Sequence, residues 1–401
     1  MPGPLHGLRV IDVGTRIGAP FCAGLLGEWG AEVVKVEQPG RGDFMRDIGP
    51  FADSPDGPAS LFWAVEGRGR KSATCDLRTP EGADLFRRLA ARADVVCENF
   101  RPGTLEGWGV GPADLDPRLV FVRISAFGQD GPYAGRPGLD RLGVAYGGLL
   151  ALTGEPNRPP VRPGVTVADY LTGVFAAEAA LAALYRRDAG PAATGRGAVV
   201  DASLYGSVLR ILEWTIPAYE RSGTQRGREG NRMSNSAPLD NYPTADNQFV
   251  CVVAGSDANF RRLCRAMDRP ELTDDPRFAT LAERAAHGDV INGIVADWTR
   301  ARSAEEVERA CVKHDVPVAT AYTARDIVAD AHMQARHDLI RVDDAALGPL
   351  LQAAPYPRLV GEEQPVPSGA PRLGADNDEV WGTIVGLSAD ELALLEGKGV
   401  V

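Results

Sequence analysis

The sequence predicts an α/β protein with a Rossmann-like large domain built on a parallel sheet, and three observations lead to this prediction. Apolar runs of strand length alternate with helix-like segments from residue 8 to residue 125. The joints between them are short, and a strand–helix–strand unit with short joints has parallel strands and a right-handed crossover. The length of 401 residues exceeds what one hydrophobic core usually supports, so a second, smaller domain is expected.

The elements of the predicted large domain follow one another along the chain. Pro20 suits the first turn of a helix, and Gly30 suits the position just after its end. In chain order we predict a strand at 8–13, a helix from Pro20 to Gly30, strands at 31–37 and 72–77, a helix at 79–92, and strands at 94–99 and 119–125. Ligands of such sheets bind beyond the carboxyl ends of the strands, so the loops after these strands are candidate sites.

The rest of the chain changes in character twice. Residues 128–164 are dense in glycine and proline, which predicts loops rather than a further element. After them we predict a helix at 170–187, a strand at 199–204, a helix at 209–219, a strand at 249–253, helices at 259–267, 291–299 and 304–314, a strand at 317–321, and a last helix at 389–397. We divide the chain into a large domain at 1–220 that is completed by 340–401, a small α+β domain at 225–330, and linkers at 221–236 and 330–345.

Composition narrows the classes of function. The formal net charge of −11 disfavours a nucleic-acid-binding protein, which would present a basic face. The 6 cysteines are scattered without metal-binding spacing, so we expect free thiols in a reducing compartment and no metal site. Because neither a secretion signal nor an apolar stretch of membrane-spanning length stands out, we expect a cytoplasmic protein without a membrane partner.

Three loops of the predicted large domain carry residues suited to binding phosphates or aromatic rings. The loop after the first strand has glycines at 14 and 18, but this is not the G-x-G-x-x-G motif of nicotinamide enzymes. The cations at 68, 70 and 71 could clamp phosphates or form a solvated turn. The Asn-Phe-Arg segment at 99–101 could hold a ligand or simply close its strand. Taken one at a time, these loops leave both readings open.

Asp169, at the start of the helix predicted for 170–187, has two compatible interpretations. The first is a helix N-cap, because an aspartate there accepts hydrogen bonds from the first free amides. The second is a nucleophile, because a helix N-terminus keeps a partly desolvated carboxylate ionised and therefore able to attack a thioester. None of the 5 histidines lies close in sequence to act as a base beside it, and no G-x-S-x-G motif is present.

Several motifs in a fixed order resemble one family. They are Gly-Leu-Arg-Val-Ile-Asp at 7–12 with Gly-Ala-Pro at 18–20, Gly-Ala-Glu-Val-Val-Lys-Val-Glu at 30–37, Glu-Asn-Phe-Arg-Pro-Gly at 98–103, Gly-Gln-Asp-Gly-Pro-Tyr at 128–133, and Ala-Asp-Tyr-Leu-Thr-Gly at 168–173 followed by Thr-Gly-Arg-Gly at 194–197. Each motif is weak alone, but in this order and spacing the chain resembles the class III CoA-transferases, the formyl-CoA transferase and carnitine CoA-transferase type. The resemblance covers nearly the whole chain.

The resemblance implies a CoA-transferase that forms an interlocked homodimer and has Asp169 as its catalytic residue. It implies coenzyme A or acyl-CoA as a substrate rather than a tightly bound cofactor, together with a small carboxylic acid. Asp140 matches an acidic position near the active site of the family. The residues that the resemblance places along CoA are Thr15, Arg16, Ile17, Arg70, Lys71, Asn99, Phe100 and Arg101.

The chain departs from formyl-CoA transferases in ways that bear on its substrate. Residues 232–236 read Arg-Met-Ser-Asn-Ser in place of a glycine run, and Ala-Asp-Tyr at 168–170 stands in place of Gly-Asp-Ser, so formate and oxalate are disfavoured as the acyl pair. The Ala-Asp-Tyr-Leu-Thr-Gly segment, with the loop at 15–17, is more similar to members that use succinyl-CoA and activate malate, citramalate or related acids. Arg16, Arg162 and Arg232 are candidate partners for a second substrate carboxylate. The α-methylacyl-CoA racemases share the fold, but they need a histidine where this chain has Leu139. Racemisation is therefore a disfavoured alternative to CoA transfer. A nicotinamide oxidoreductase and a CoA-binding protein without activity are the other rivals.

Overall fold

A computed structural model describes residues 3–191, 193–362 and 365–401. The chain forms two compact units. The first comprises Met1–Leu149, Pro163–Ile216 and Ala335–Val401, and the second comprises Leu150–Arg162 and Pro217–Gln334. The second unit therefore includes residues 150–162, which we had assigned to the large domain, and residues 221–236, which we had assigned to a linker.

The strands, numbered in chain order, are β1 (Arg9–Asp12), β2 (Glu32–Glu37), β3 (Phe51–Ala52), β4 (Ala59–Ser60), β5 (Lys71–Thr74), β6 (Val95–Glu98), β7 (Val120–Ser125), β8 (Val199–Ser203), β9 (Leu239–Pro243), β10 (Phe249–Val253), β11 (Val318–Thr320), β12 (Leu339–Asp344) and β13 (Gly348–Ala353).

The α-helices are α1 (Gly18–Glu28), α2 (Leu61–Glu66), α3 (Pro80–Ala90), α4 (Thr104–Gly107), α5 (Asp140–Tyr146), α6 (Leu149–Leu152), α7 (Val167–Asp188), α8 (Leu204–Arg210), α9 (Thr215–Ser222), α10 (Asp257–Ala266), α11 (Leu281–Ala286), α12 (Gly288–Arg300), α13 (Ala304–Lys313), α14 (Ala324–Ala329), α15 (Ala331–Arg336) and α16 (Ala389–Gly397).

The first unit is built on a parallel sheet with the strand order β5-β2-β1-β6-β7-β8. This confirms the predicted α/β class. Strands β2, β6 and β7 are buried and mostly apolar, which explains why they could be predicted from apolar runs in the sequence. The chain builds β1, β2 and β5 outward in one direction and then returns to place β6 on the other side of β1. The crevice between the loops after β1 and β6 is therefore the topological switch point, where such sheets bind ligands.

The C-terminal part of the chain contributes to the core of the first unit. Trp381 and Val400 are buried in the same cluster as Phe86 of α3 and Phe121 of β7. The indole of Trp381 donates a hydrogen bond to the Thr74 carbonyl at the end of β5 over 3.1 Å. The terminal segment thus completes the sheet's packing.

The second unit contains a small antiparallel sheet in which β10 pairs with both β9 and β11. Its core is formed by apolar side chains of this sheet and of helices α10, α12 and α13, among them Phe260, Ile291 and Val307. Strand β10 and these three helices occupy the segments where periodicity predicted them, with ends that differ by a few residues at most.

Two predictions from glycine and helix patterns were wrong. The segment 128–164 was predicted as loops, but it contains α5 and α6. A Cβ at Gly143 would lie 2.7 Å from Cβ of Leu204, so glycine serves close helix packing there rather than a turn. The helix predicted for 209–219 is two helices, α8 and α9, and Glu213 between them has a left-handed φ of 53°.

Helix α7 is long and apolar enough to pass a length-and-composition test for a membrane span. The same test is passed by central helices of soluble domains. In α7 the small residues Ala168, Thr172, Gly173, Ala176 and Ala180 are buried within the first unit. The helix thus serves as a core element of that unit.

Candidate active site

Asp169 is the third residue of α7 and is partly buried. The predicted N-cap role is wrong, because the residue before the helix is Thr166 and the cap comes from another element. The Asp140 carboxylate, at the start of α5, accepts hydrogen bonds from the backbone N–H groups of Ala168 (2.8 Å) and Asp169 (3.3 Å). The carboxylate of Asp169 is thereby released from capping its own helix.

The environment of Asp169 raises its pKa to about 7. Burial is the main cause, the nearby charges of Asp140 and Glu66 oppose ionisation, and the charge of Arg16 favours it. We had expected the helix N-terminus to keep this carboxylate fully ionised, but its surroundings favour the protonated form instead. Desolvation and two acidic neighbours outweigh the helix dipole, so the group is a basic carboxylate.

Glycine allows the start of α1 to approach Asp169 closely. A Cβ at Gly18, the first residue of α1, would lie 3.5 Å from Oδ1 of Asp169 and 3.2 Å from Cγ2 of Ile124. A Cβ at Gly173 would lie 2.9 Å from Cδ1 of Phe21, so α1 and α7 also need glycine on the other side of their contact. The start of α1 therefore lies against the carboxylate, and a helix start stabilises negative charge.

The loop between β1 and α1 is fixed by hydrogen bonds from three directions. The Asn99 side chain accepts from the N–H of Thr15 over 2.8 Å and donates to its carbonyl over 2.7 Å. The ammonium group of Lys35 donates to the carbonyl of Gly14, and Asp43 accepts from the N–H of Arg16 over 3.1 Å. Asn99 is therefore a positioning residue that closes the switch-point crevice.

A cavity of about 300 Å³ lies beside this loop at the carboxyl ends of the strands. Its lining includes three arginines and three aromatic residues, which are Arg16, Arg41, Arg78, Phe44, Phe100 and Trp108. The guanidinium of Arg16 stacks on the Phe44 ring at 3.9 Å, and the rings of Phe100 and Trp108 meet edge to face at 5.2 Å. Guanidinium groups and aromatic faces are the groups that bind phosphates and a purine ring.

The loop that carries Phe100 is supported from within the unit. The buried carboxylate of Glu98 accepts from the N–H of Phe100 and from Nε of Arg123, each over 2.7 Å. Arg123 also pairs with Glu106 of α4. This ion-pair network fixes the edge of the cavity on which Phe100 lies.

Comparison with known proteins places this geometry in a family. The sequence profile of CoA-transferase family III matches residues 5–377. The chain belongs to CoA-transferase family III. It is similar to a succinyl-CoA–D-citramalate CoA-transferase of Chloroflexus aurantiacus, with 42% identity over 100% of this chain and 98% of the relative. It is also similar to a succinyl-CoA–L-malate CoA-transferase beta subunit of the same organism, with 40% identity over 99% of this chain and 98% of the relative.

The fold has solved relatives as well. A crystal structure of a CAIB/BAIF family protein from Brucella suis superposes with a TM-score of 0.85 at 32% identity, covering 96% of this chain and 100% of that chain. The protein is thus an enzyme that transfers CoA, and CoA thioesters are its substrates.

Arg70 and Lys71 of this CoA-transferase do not have the free cationic groups that we predicted for binding CoA. Arg70 was expected to clamp CoA phosphates, but it is 6% exposed and binds the Asp12 carboxylate (2.5 Å) and the Pro20 carbonyl (2.7 Å). Lys71 forms ion pairs with Glu32 and Glu379. The predicted phosphate-binding role of Arg70 and Lys71 was wrong because the sequence shows these cations but not the carboxylates that folding brings against them.

The other predicted residues divide between the cavity wall and the interior. Thr15, Arg16 and Phe100 line the cavity. Ile17 is buried against Met45 and Trp63, so only its backbone can face a ligand, and Arg101 is exposed in the turn before α4.

Of the six arginines and aromatic residues named in the cavity wall, sequence reasoning missed four, which are Arg41, Phe44, Arg78 and Trp108. Arg41 and Phe44 follow β2 and Arg78 follows β5, so the rule that ligands bind after the strands could have found these three. Trp108 follows α4 and carried no such signal.

Proposed function

We propose that this CoA-transferase moves CoA from succinyl-CoA to a small dicarboxylic or hydroxy acid such as malate or citramalate, with Asp169 as the nucleophile. The observation that carries the proposal is a partly buried, basic carboxylate with no hydrogen-bond donor among the described residues, facing the first turn of α1. The succinyl-CoA-dependent relatives, similar over the full chain, support the choice of substrates.

The proposed chemistry proceeds through three covalent intermediates on Asp169: an anhydride with the donor acid, a thioester with CoA and an anhydride with the acceptor acid. Asp169 attacks the thioester carbonyl of the donor, the C–S bond breaks, and CoA leaves as a thiolate while a mixed anhydride forms. The thiolate attacks the Asp169 carbonyl of the anhydride, which releases the donor acid and leaves an aspartyl-CoA thioester. The acceptor carboxylate then attacks this thioester, and the thiolate returns to the acceptor's acyl carbon, which regenerates Asp169. Each step exchanges one carboxyl derivative for another, so no external energy source is required.

We place CoA in the cavity beside the β1–α1 loop. Arg41 would hold a phosphate, and the Phe100–Trp108 pair would face the purine ring. Arg78 also lines the cavity, but its guanidinium donates two 2.7 Å hydrogen bonds to the Asp76 carboxylate and would have to share that charge with a phosphate. The backbone of Thr15 and Ile17 would direct the thioester towards Asp169, where the first amides of α1 would stabilise the developing oxyanion. The buried Arg70 and the paired Lys71 have structural roles in this proposal.

Arg16 is the favoured partner for the second carboxylate of the substrates. It makes no ion pair with an acidic side chain within the described part of the chain, and its charge acts on Asp169. Arg232, an alternative from the sequence, already pairs with Asp240 and Asp289 in the second unit. A carboxylate bound at Arg16 would therefore distinguish dicarboxylic from monocarboxylic acids.

We also propose a homodimer in the cytoplasm. Large apolar side chains are exposed on α5 and in the segment that follows α8, with Leu142 at 48% and Trp214 at 46%, and a second copy would cover them. The 6 free cysteines are consistent with a reducing compartment. Light scattering on the purified protein tests the dimer.

The decisive experiment follows transfer of label from carbon-labelled succinate into succinyl-CoA, with and without a panel of acceptor acids, by mass spectrometry of the thioesters. We expect exchange by the native enzyme and none by Asp169→Asn. Full exchange activity in Asp169→Asn would reject the mechanism. Loss of an α-deuteron without exchange would indicate a racemase instead, which the surroundings of Asp169 disfavour because its charged neighbours are carboxylates and an arginine.

A further inference from the structure

Glu66 and Tyr170 form a buried hydrogen bond next to Asp169 that the transfer chemistry above does not use. Glu66 is the last residue of α2 and is 7% exposed. Tyr170 follows Asp169 in the first turn of α7, and its hydroxyl donates to Oε1 of Glu66 over 2.7 Å. A hydrogen bond to a buried carboxylate is strong and directional, so it fixes the two helices against each other.

The ring of Tyr170 is held on a second side by α1. It meets the ring of Phe21 edge to face, with centroids 4.8 Å apart and an interplanar angle of 85°. Both rings pack against the apolar cluster that contains Ile17 and Trp63. Tyr170 is therefore the point where α1, α2 and α7 meet, one residue away from the nucleophile.

Packing alone does not require a carboxylate at this point. An apolar side chain of similar size would fill the space without the cost of burying a charge. Burial raises the pKa of Glu66, while the Tyr170 hydroxyl and the charges of Arg70 and Arg68 oppose this and Glu28 reinforces it. A polar pair retained at such a cost next to a reactive group indicates a function.

The charged groups that act on Asp169 come from three separate parts of the first unit. They are Asp140 at the start of α5, Arg16 in the β1–α1 loop and Glu66 at the end of α2. Asp140 also caps α7, so changing it would disturb the helix itself. Glu66 is the neighbour whose charge can be removed without removing that cap.

We propose that Glu66 and Tyr170 are positioning residues that set the reactivity of Asp169, an inference that rests on its proposed role as nucleophile. The hydrogen bond fixes the rotation and height of the first turn of α7, which directs the carboxylate at the thioester carbon. The charge of Glu66 makes Asp169 more basic, and a more basic carboxylate is the stronger nucleophile.

The test compares the pH dependence of kcat for the native enzyme, Glu66→Gln and Tyr170→Phe in the succinate exchange assay. Glu66→Gln should move the acid limb of the profile to lower pH by about half a unit or more and lower the plateau roughly tenfold. Tyr170→Phe should shift the limb in the same direction by less, because Glu66 loses its donor and becomes more often neutral. The KM for succinyl-CoA should stay within about twofold in both, since neither residue lines the CoA cavity.

Tyr185→Phe is the matched control, because Tyr185 is also on α7 but is 60% exposed, and its profile should be that of the native enzyme. A lowered plateau with an unmoved acid limb in both Glu66→Gln and Tyr170→Phe would overturn the inference, since a purely structural role has that result. If Glu66→Gln does not fold, Tyr170→Phe alone decides in the same way. Asp169→Asn, assayed alongside, separates the two proposals. If this variant is active, the role of Asp169 as nucleophile is rejected. If it is inactive while the pH profiles of Glu66→Gln and Tyr170→Phe do not shift, only the role of Glu66 and Tyr170 is rejected.

Discussion

Two carboxylates at the same edge of the sheet, one fully and one partly buried, have opposite surroundings. Asp12, at the end of β1, is fully buried and is met by two cations, with Arg70 at 2.5 Å and Lys35 at 3.3 Å. Asp169, at the start of α7, has two acidic neighbours and one arginine, and no described residue donates a hydrogen bond to its carboxylate. The comparison teaches that a buried carboxylate with compensating charge holds the fold together, whereas one without it is available for chemistry.

The largest expected effect concerns the reactivity of Asp169. Asp169→Asn keeps the shape of the side chain but removes the nucleophile, so succinate exchange should fall by about a thousandfold or more. Circular dichroism should show an unchanged fold. A loss of less than about tenfold would contradict the assignment.

The next prediction tests whether Asp12 stabilises the fold. Asp12→Asn leaves the guanidinium of Arg70 buried without a carboxylate partner, whereas Lys35 keeps Asp43 at 2.9 Å, so the free energy of unfolding should fall by about 3 kcal/mol. Urea denaturation measures this change. The kcat of the molecules that remain folded should stay within a few-fold of the native value, and a selective loss of kcat without loss of stability would erase the distinction between the two carboxylates.

The pH dependence of stability sharpens the comparison. The pKa of Asp169 is about 7 in the folded protein and about 3.8 when unfolded, so ionisation opposes folding increasingly as the pH rises between these values. Asp169→Asn should therefore be more stable than the native enzyme by up to about 4 kcal/mol at pH 8, and the difference should nearly vanish by about pH 4. Thermal unfolding across this range measures it, and a constant difference would contradict the raised pKa.

The smallest effect concerns the arginine that faces Asp169. Arg16→Met should raise the KM for dicarboxylic acceptors about tenfold, because one charge-assisted contact is lost, and should leave the KM of a monocarboxylic acceptor unchanged. Arg41→Met, the control within the same cavity, should raise the KM for every CoA thioester instead. Equal effects of Arg16→Met on both classes of acid would place this side chain on CoA rather than on the acid.

The errors at particular residues show where sequence reasoning ended. Asp169 was located correctly at the first turn of a long helix, but its capping role belongs to Asp140, which is 29 positions earlier in the chain. Arg70 and Lys71 read as a phosphate site because their partners Asp12 and Glu379 are distant in sequence. Gly143 read as a loop residue because its contact with Leu204 crosses from one helix to another.

Apolar periodicity, helix ends and ordered motifs are local properties of the chain, so the alternation of strands and helices, the α/β class and the family could be predicted from the sequence. The tertiary structure alone decided which charges are compensated and which are reactive, as Asp12 and Asp169 show. The physical reason is that the pKa of a buried group depends on desolvation and on charges within a few ångströms, and in this protein those charges come from remote parts of the chain.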